Sequence, residues 1–200
     1  MGRERRRGPA AALAVVLGLA GAAESPATGS ADPFSPTHGE VAMSLVLRSS
    51  EFEHGGTIPR RFTCEGEDVS PPLAWSDEPP GTKALALIVD DPDAPDPAHP
   101  RQTWVHWVLY DVPPAASVLP TAMKASALPP GTREGVNDWG RTGYGGPCPP
   151  IGRHRYYFKL YALDAPLGDL HRPTKAQLEQ AMQGHVLAHT ELMGTYQKQR

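Results

Sequence analysis

Residues 103–112 read TWVHWVLYDV, and the alternation in this stretch decides the fold class. Successive side chains of a strand point to opposite faces. A period of two therefore sets Trp104, His106, Val108 and Tyr110 on one face and Val105, Trp107 and Leu109 on the other. The residue types, β-branched and aromatic, suit a pleated, half-buried surface. The stretch is read as a strand.

Other segments repeat the pattern. In HRYYFKLYALD (154–164), His154, Tyr156, Phe158, Leu160 and Ala162 share one face, while Arg155, Tyr157, Lys159 and Tyr161 share the other. ALALIVDD (84–91) is almost continuously apolar, as expected of a strand covered on both sides. MSLVLRS (43–49) is a first strand candidate. Between them lie turn signals such as Gly55-Gly56, Pro79-Pro80-Gly81 and Pro129-Pro130-Gly131. TKAQLEQAMQG (174–184) reads as a helix capped by Thr174, with Leu178, Ala181 and Met182 inward and Gly184 as its stop. VLAHTELMGTY (186–196) fits a last strand or a continuation of that helix. The expectation is an all-β domain with one peripheral helix.

The 23 Pro and 20 Gly among 200 residues agree with many turns between short elements. A formal net charge of −3 leaves no basic footprint for nucleic acid. The N-terminus stands apart. Arg3, Arg5, Arg6 and Arg7 precede an uncharged run from Ala10 to Ala23, and Ala20-Gly21-Ala22 offers a small-residue cleavage site. This is the pattern of a signal peptide over residues 1–23, and the run is too short for a stable membrane span. Its removal takes away four Arg and one Glu, moving the formal charge from −3 to −6. Residues 24–42 read as a Pro/Ser/Gly-rich tether and residues 43–200 as the domain. The expected location is periplasmic or secreted. Two cysteines, Cys64 and Cys148, allow one disulfide in an oxidising compartment or two free thiols.

Polar groups gather at three strand ends: Asp90-Asp91-Pro92-Asp93, His106, and His154 with Tyr156. Asp91, His106, His154 and Tyr156 beside the glycine-rich stretch 143–152 make a candidate oxyanion pocket. In it Gly143, Gly145, Gly146 and Gly152 would turn their N–H groups inward as an anion nest. The carboxylates would orient imidazole N–H groups or meet a ligand ammonium. On this reading the carboxylates favour imidazolium, and anion affinity weakens as the histidines lose protons near or above about pH 6.5. No GxSxG, HExxH or Walker sequence is present, so no catalytic residue, cofactor or metal site is assigned.

The stretches DDPDAP, HWVLYDVP, GYGGPCPPIGRHRYYFKLYALD and AMQGHVLAHTELMGTY, with IPRRFTCEGEDVSPPLAW, closely resemble the phosphatidylethanolamine-binding protein family. The likeness is to its bacterial Raf-kinase-inhibitor-like (YbhB/YbcL-type) branch, over residues 43–197. The resemblance implies a Greek-key β-sandwich of two antiparallel sheets with one or two short peripheral helices, and a conserved anion cavity at one end. It carries over Asp91, Asp93, His106, His154 and Tyr156 as ligand-binding residues, with Gly146 and Pro147 at the mouth and Trp104 as an aromatic wall. It also implies a cis Ala94–Pro95 bond, and leaves Arg153 as added charge at the rim. The expected function is binding of a small phosphate-bearing anion or head group without catalysis. Two alternatives stand beside it. One is inhibition of a protease or kinase through the rim and the stretch 115–135, and the other is weak hydrolysis using Asp91 and His106. A homodimer is compatible with all three.

Overall fold

The structure is a computed structural model and describes residues 44–199. The signal peptide, the tether and the first domain residue lie outside that range. Eight strands and one helix follow in order: β1 (Val46–Arg48), β2 (Leu73–Ser76), β3 (Ala84–Ala94), β4 (Gln102–Val112), β5 (Val118–Leu119), β6 (Arg133–Glu134), β7 (Arg153–Leu163), α1 (Lys175–Ala181) and β8 (Val186–Gln197). One sheet has the order β6-β4-β3-β7-β8 and the other β1-β2-β5, with every strand pair antiparallel. After β4 the chain crosses to the small sheet as β5, comes back to the large sheet as β6 beside β4, and then returns as β7 on the other side of β3, a Greek-key connection. This is the all-β sandwich expected from the sequence. Among the described residues no helix is long and apolar enough to cross a membrane.

The large sheet is covered on both faces. Leu85, Leu87, Val89, Trp107, Leu109, Phe158 and Leu160 pack across to Leu47, Leu73, Trp75 and Leu119 of the small sheet. Ala86, Ile88, Val105, Val108 and Tyr110 pack against Leu178 and Met182 of the helical segment. Each large apolar side chain so buried contributes roughly 1.5–3 kcal/mol. That two-sided burial is why β3 reads as a continuous apolar run.

Seven residues are too few for a stable isolated helix, so α1 depends on its contacts. Thr174 and Gln177 form a capping box at its start. Lys175 and Lys159 both reach the fully buried Asp90, Lys159 at 2.9 Å. Two amines compensate a charge that would otherwise be costly there.

The faces of β7 fall as the alternation predicts, and 186–196 is strand. β4 departs from it. Val89 pairs with Trp107 and Asp90 with Val105, so His106 is an extra residue in a β-bulge. Beyond the bulge the phase is inverted. Val105 joins Val108 and Tyr110 on the helix side, while Trp104, His106, Trp107 and Leu109 all turn to the sandwich side. The grouping of Trp104 and His106 with Val108 and Tyr110 is therefore corrected, because a strict period of two ignores an inserted residue. Strands β2, β5 and β6, of four, two and two residues, carry no alternation long enough to read.

Candidate functional site

Where β3, β4 and β7 end together, a cavity of about 310 Å³ opens. Asp91 comes from β3, Trp104 and His106 from β4, and His154 and Tyr156 from β7. Gln102, Pro95, Trp139, Cys148, Pro149 and Pro150 complete much of the wall, and Ala94–Pro95 is cis. Among the described residues no Lys or Arg lines it.

Asp91 and His154 are both buried and form one unit. Asp91 Oδ1 accepts the Asp93 N–H at 2.8 Å, and Oδ2 lies 2.7 Å from His154 Nδ1. His154 Nε2 donates to the Ile151 carbonyl at 2.9 Å, since a carbonyl can only accept. One further proton lies between Nδ1 and Oδ2. Ion pair or neutral pair, the unit has no net charge, and neither ring nitrogen is left for a ligand. Burial pushes the Asp91 carboxyl up, against the downward pull of His154.

His106 is held differently. Its Nδ1 donates to the Gly145 carbonyl at 2.6 Å, and its ring lies edge-on between Trp139 and Tyr156, 5.2 Å from each. Burial lowers it to about 4. At neutral pH it is therefore a neutral imidazole whose Nε2 is an acceptor, and that atom has no partner. The expected imidazolium is overturned here, because desolvation outweighs the upward pull of the Gly145 carbonyl and of Asp90. Tyr156 Oη is likewise buried and unpartnered, and burial raises its hydroxyl well above the ordinary range.

This has a consequence for stability. Between about pH 6.5 and about 4 the unfolded chain binds a proton at His106 that the folded chain refuses. Stability contributed by the neutral ring is thus present above 6.5 and falls as pH drops to 4. Denaturant melts of a His106→Phe variant are expected to lack about 3 kcal/mol of the wild type's acid-side loss over that window. Parallel curves for the two proteins would contradict it.

Other expected site residues lie elsewhere. Asp93 does not line the cavity. It takes a bidentate pair from Arg155, at 2.6 and 2.9 Å, which holds its carboxyl below the usual range. Gly146 donates its N–H to Asp68 Oδ1, and the Pro147 carbonyl accepts from the Cys64 N–H. Both tie the loop to the segment near residue 64 and do not line the cavity. The Gly145 N–H is spent on the His106 carbonyl, so the anion nest over 145–146 is not formed. Glycine is needed at these two positions for closeness: a Cβ would stand 2.5 Å from the Trp139 ring at Gly145 and 2.5 Å from the Phe62 carbonyl at Gly146. Arg153 is exposed and outside the cavity lining.

Cys64 and Cys148 are bonded, with Cα atoms 5.4 Å apart, which brings the bridge to the cavity wall. The loop residue Trp139 was not anticipated. It is 43% exposed and packs edge-on against Trp104 at 5.4 Å. Its one sequence signal is a large aromatic set in the polar turn Asn137-Asp138-Trp139-Gly140. Among the described residues no group of three or more His, Cys, Asp or Glu is placed to hold a metal.

Comparison with known proteins agrees with the fold. Residues 48–197 match the family described as phosphatidylethanolamine-binding protein. A UPF0098 protein of Methanothermobacter thermautotrophicus is 46% identical over 155 residues, covering 77% of this chain and 99% of the relative. The crystal structure of the homologue CT736 from Chlamydia trachomatis aligns with a TM-score of 0.72 at 43% identity, covering 78% of this chain and 99% of that one. That of Escherichia coli YbcL aligns at 0.70 with 30% identity over the same shares, 78% and 99%.

Proposed function

The chain belongs to the phosphatidylethanolamine-binding protein family, and from that premise we propose that it is an exported, non-catalytic binding protein that holds a small phosphate-bearing anion in the cavity of Asp91, His106, His154 and Tyr156. One observation carries the reading: His106 Nε2 and Tyr156 Oη are unpartnered polar atoms in a cavity whose other buried polar groups are satisfied. An unmade hydrogen bond of this kind costs about 1–3 kcal/mol, which a polar ligand completing both atoms recovers. Prolines and tryptophans around that floor suit a ligand with an apolar or aliphatic body.

Binding without turnover is supported by how the reactive groups are engaged. Both nitrogens of His154 are bonded, and Cys148 is in a disulfide. Export is supported by that disulfide, which persists in oxidising compartments, together with the basic–apolar–small pattern of residues 1–23.

Calorimetric titration with O-phosphoethanolamine tests the reading. The wild type is expected to bind, and Tyr156→Phe to bind roughly 10- to 100-fold more weakly through loss of one charge-assisted hydrogen bond. No binding by the wild type anywhere between pH 5 and 8 would refute it.

A further inference from the structure

We propose that the cavity takes a phosphoryl group together with one acidic proton, and so selects phosphomonoesters and inorganic phosphate over phosphodiesters. The inference rests on the phosphate reading above and names the ligand class more closely. Its basis is the proton inventory of the cavity. Asp91 and His154 share their protons internally and present no net charge. No Lys or Arg lines the cavity among the described residues, so no fixed cation waits for an anion.

Two buried polar atoms of the lining remain free. Tyr156 Oη can donate. His106 Nε2 can only accept, because the ring's one proton is fixed on Nδ1 by the Gly145 carbonyl. A ligand that completes both must bring an acceptor oxygen and an O–H. A monoprotonated phosphomonoester has both, whereas a phosphodiester anion has acceptors alone and leaves lone pair facing lone pair. The bound proton sits between the phosphoryl oxygen and Nε2, and its count is one wherever it rests.

The charged and titratable groups around His106 do not alter this. Asp90, on the far face of β3, is matched by Lys159 and Lys175, and Asp91 by His154. Asp138 accepts the Val105 N–H, and the Tyr144 hydroxyl donates to the Phe62 carbonyl. Tyr156 stays protonated.

The expected selectivity follows from the proton's source. At pH 7 a monoester with a second pKa near 6 supplies its own proton at about a tenfold cost. A diester must place a proton on His106, lowered to about 4, at a cost of about a thousandfold. Monoester is therefore favoured about 100-fold at pH 7, and about tenfold at pH 5.

Calorimetry with methyl phosphate, dimethyl phosphate, inorganic phosphate and sulfate, whose esters differ only in the acidic O–H, tests this on the disulfide-bonded protein. The monoester should bind with uptake of close to one proton at pH 7, read from buffers of different ionisation enthalpy, and inorganic phosphate, whose second pKa is higher, with a clearly smaller fraction of one. Sulfate and the diester should lag about 100-fold. His106→Gln, whose amide can donate, should bring monoester and diester within a few fold of each other. Equal affinities at pH 7, or binding without proton uptake, would overturn the proposal while leaving phosphate binding intact. Failure of every probe at every pH would remove both.

Discussion

Asp91→Ala is expected to lower the stability of the fold by about 3–5 kcal/mol, a fall in Tm of roughly 10 °C. The residue is 4% exposed, and among the described residues its carboxylate is the one partner found for His154 Nδ1 and for the Asp93 N–H. Removing it leaves a buried imidazole nitrogen and a buried amide unsatisfied and opens a void beside them. Asp91→Asn is the informative control. Its Oδ1 can still accept from Asp93 while its amide donates to His154 Nδ1, so it reproduces the neutral arrangement. It should lose no more than about 1 kcal/mol. Urea unfolding of the three proteins at pH 7 decides the matter, and an alanine variant within 1 kcal/mol of wild type would show that the pair does not hold the site together.

The second large effect concerns the bridge. Replacing Cys64 and Cys148 by Ser together is expected to cost about 4 kcal/mol, since the bond closes a loop of 84 residues in the unfolded chain. The loss should extend to binding. Cys148, Pro149 and Pro150 form one wall of the cavity, and the bridge fastens that wall to the segment carrying Phe62 and Thr63. Melts with and without a dithiol reductant give the check: wild type in reductant should approach the double variant, and the double variant should not respond. A reductant-insensitive wild type with a fully reduced bridge would contradict the assignment of stability to the bond.

Much of this architecture was legible in the amino-acid order. Strands β3, β4, β7 and β8 show themselves because each is eleven or twelve residues long and must cover apolar faces. The helix shows itself through Thr174 as its cap, Leu178, Ala181 and Met182 on one face and Gly184 as its stop, while the reciprocal bond from Gln177 emerges only in the structure. Asp91, His106, His154 and Tyr156 were found as a group because strand ends expose polar residues to a common cavity, while Trp104 came only with the family resemblance. The bulge at His106 was not legible, for no glycine or proline marks it and only the pairing with Val89 and Asp90 reveals it. Asp93 and Gly146 looked like site residues on chemistry alone, yet Arg155 and Asp68 claim them through contacts 62 and 78 residues away in sequence. The protonation of His106 depends on how deeply the tertiary fold buries it, and no local motif carries that quantity.

Asp90 and Asp91 stand next to each other in the chain and hardly share an environment. One is answered by two amines on the helix side, the other by an imidazole on the cavity side. The sheet thus works as an insulating partition, with a carboxylate mounted on each surface and its own counter-charge supplied locally. The helix can be refitted, or its Lys175 exchanged, as a matter of anchoring alone. The chemistry behind the partition keeps its own proton account.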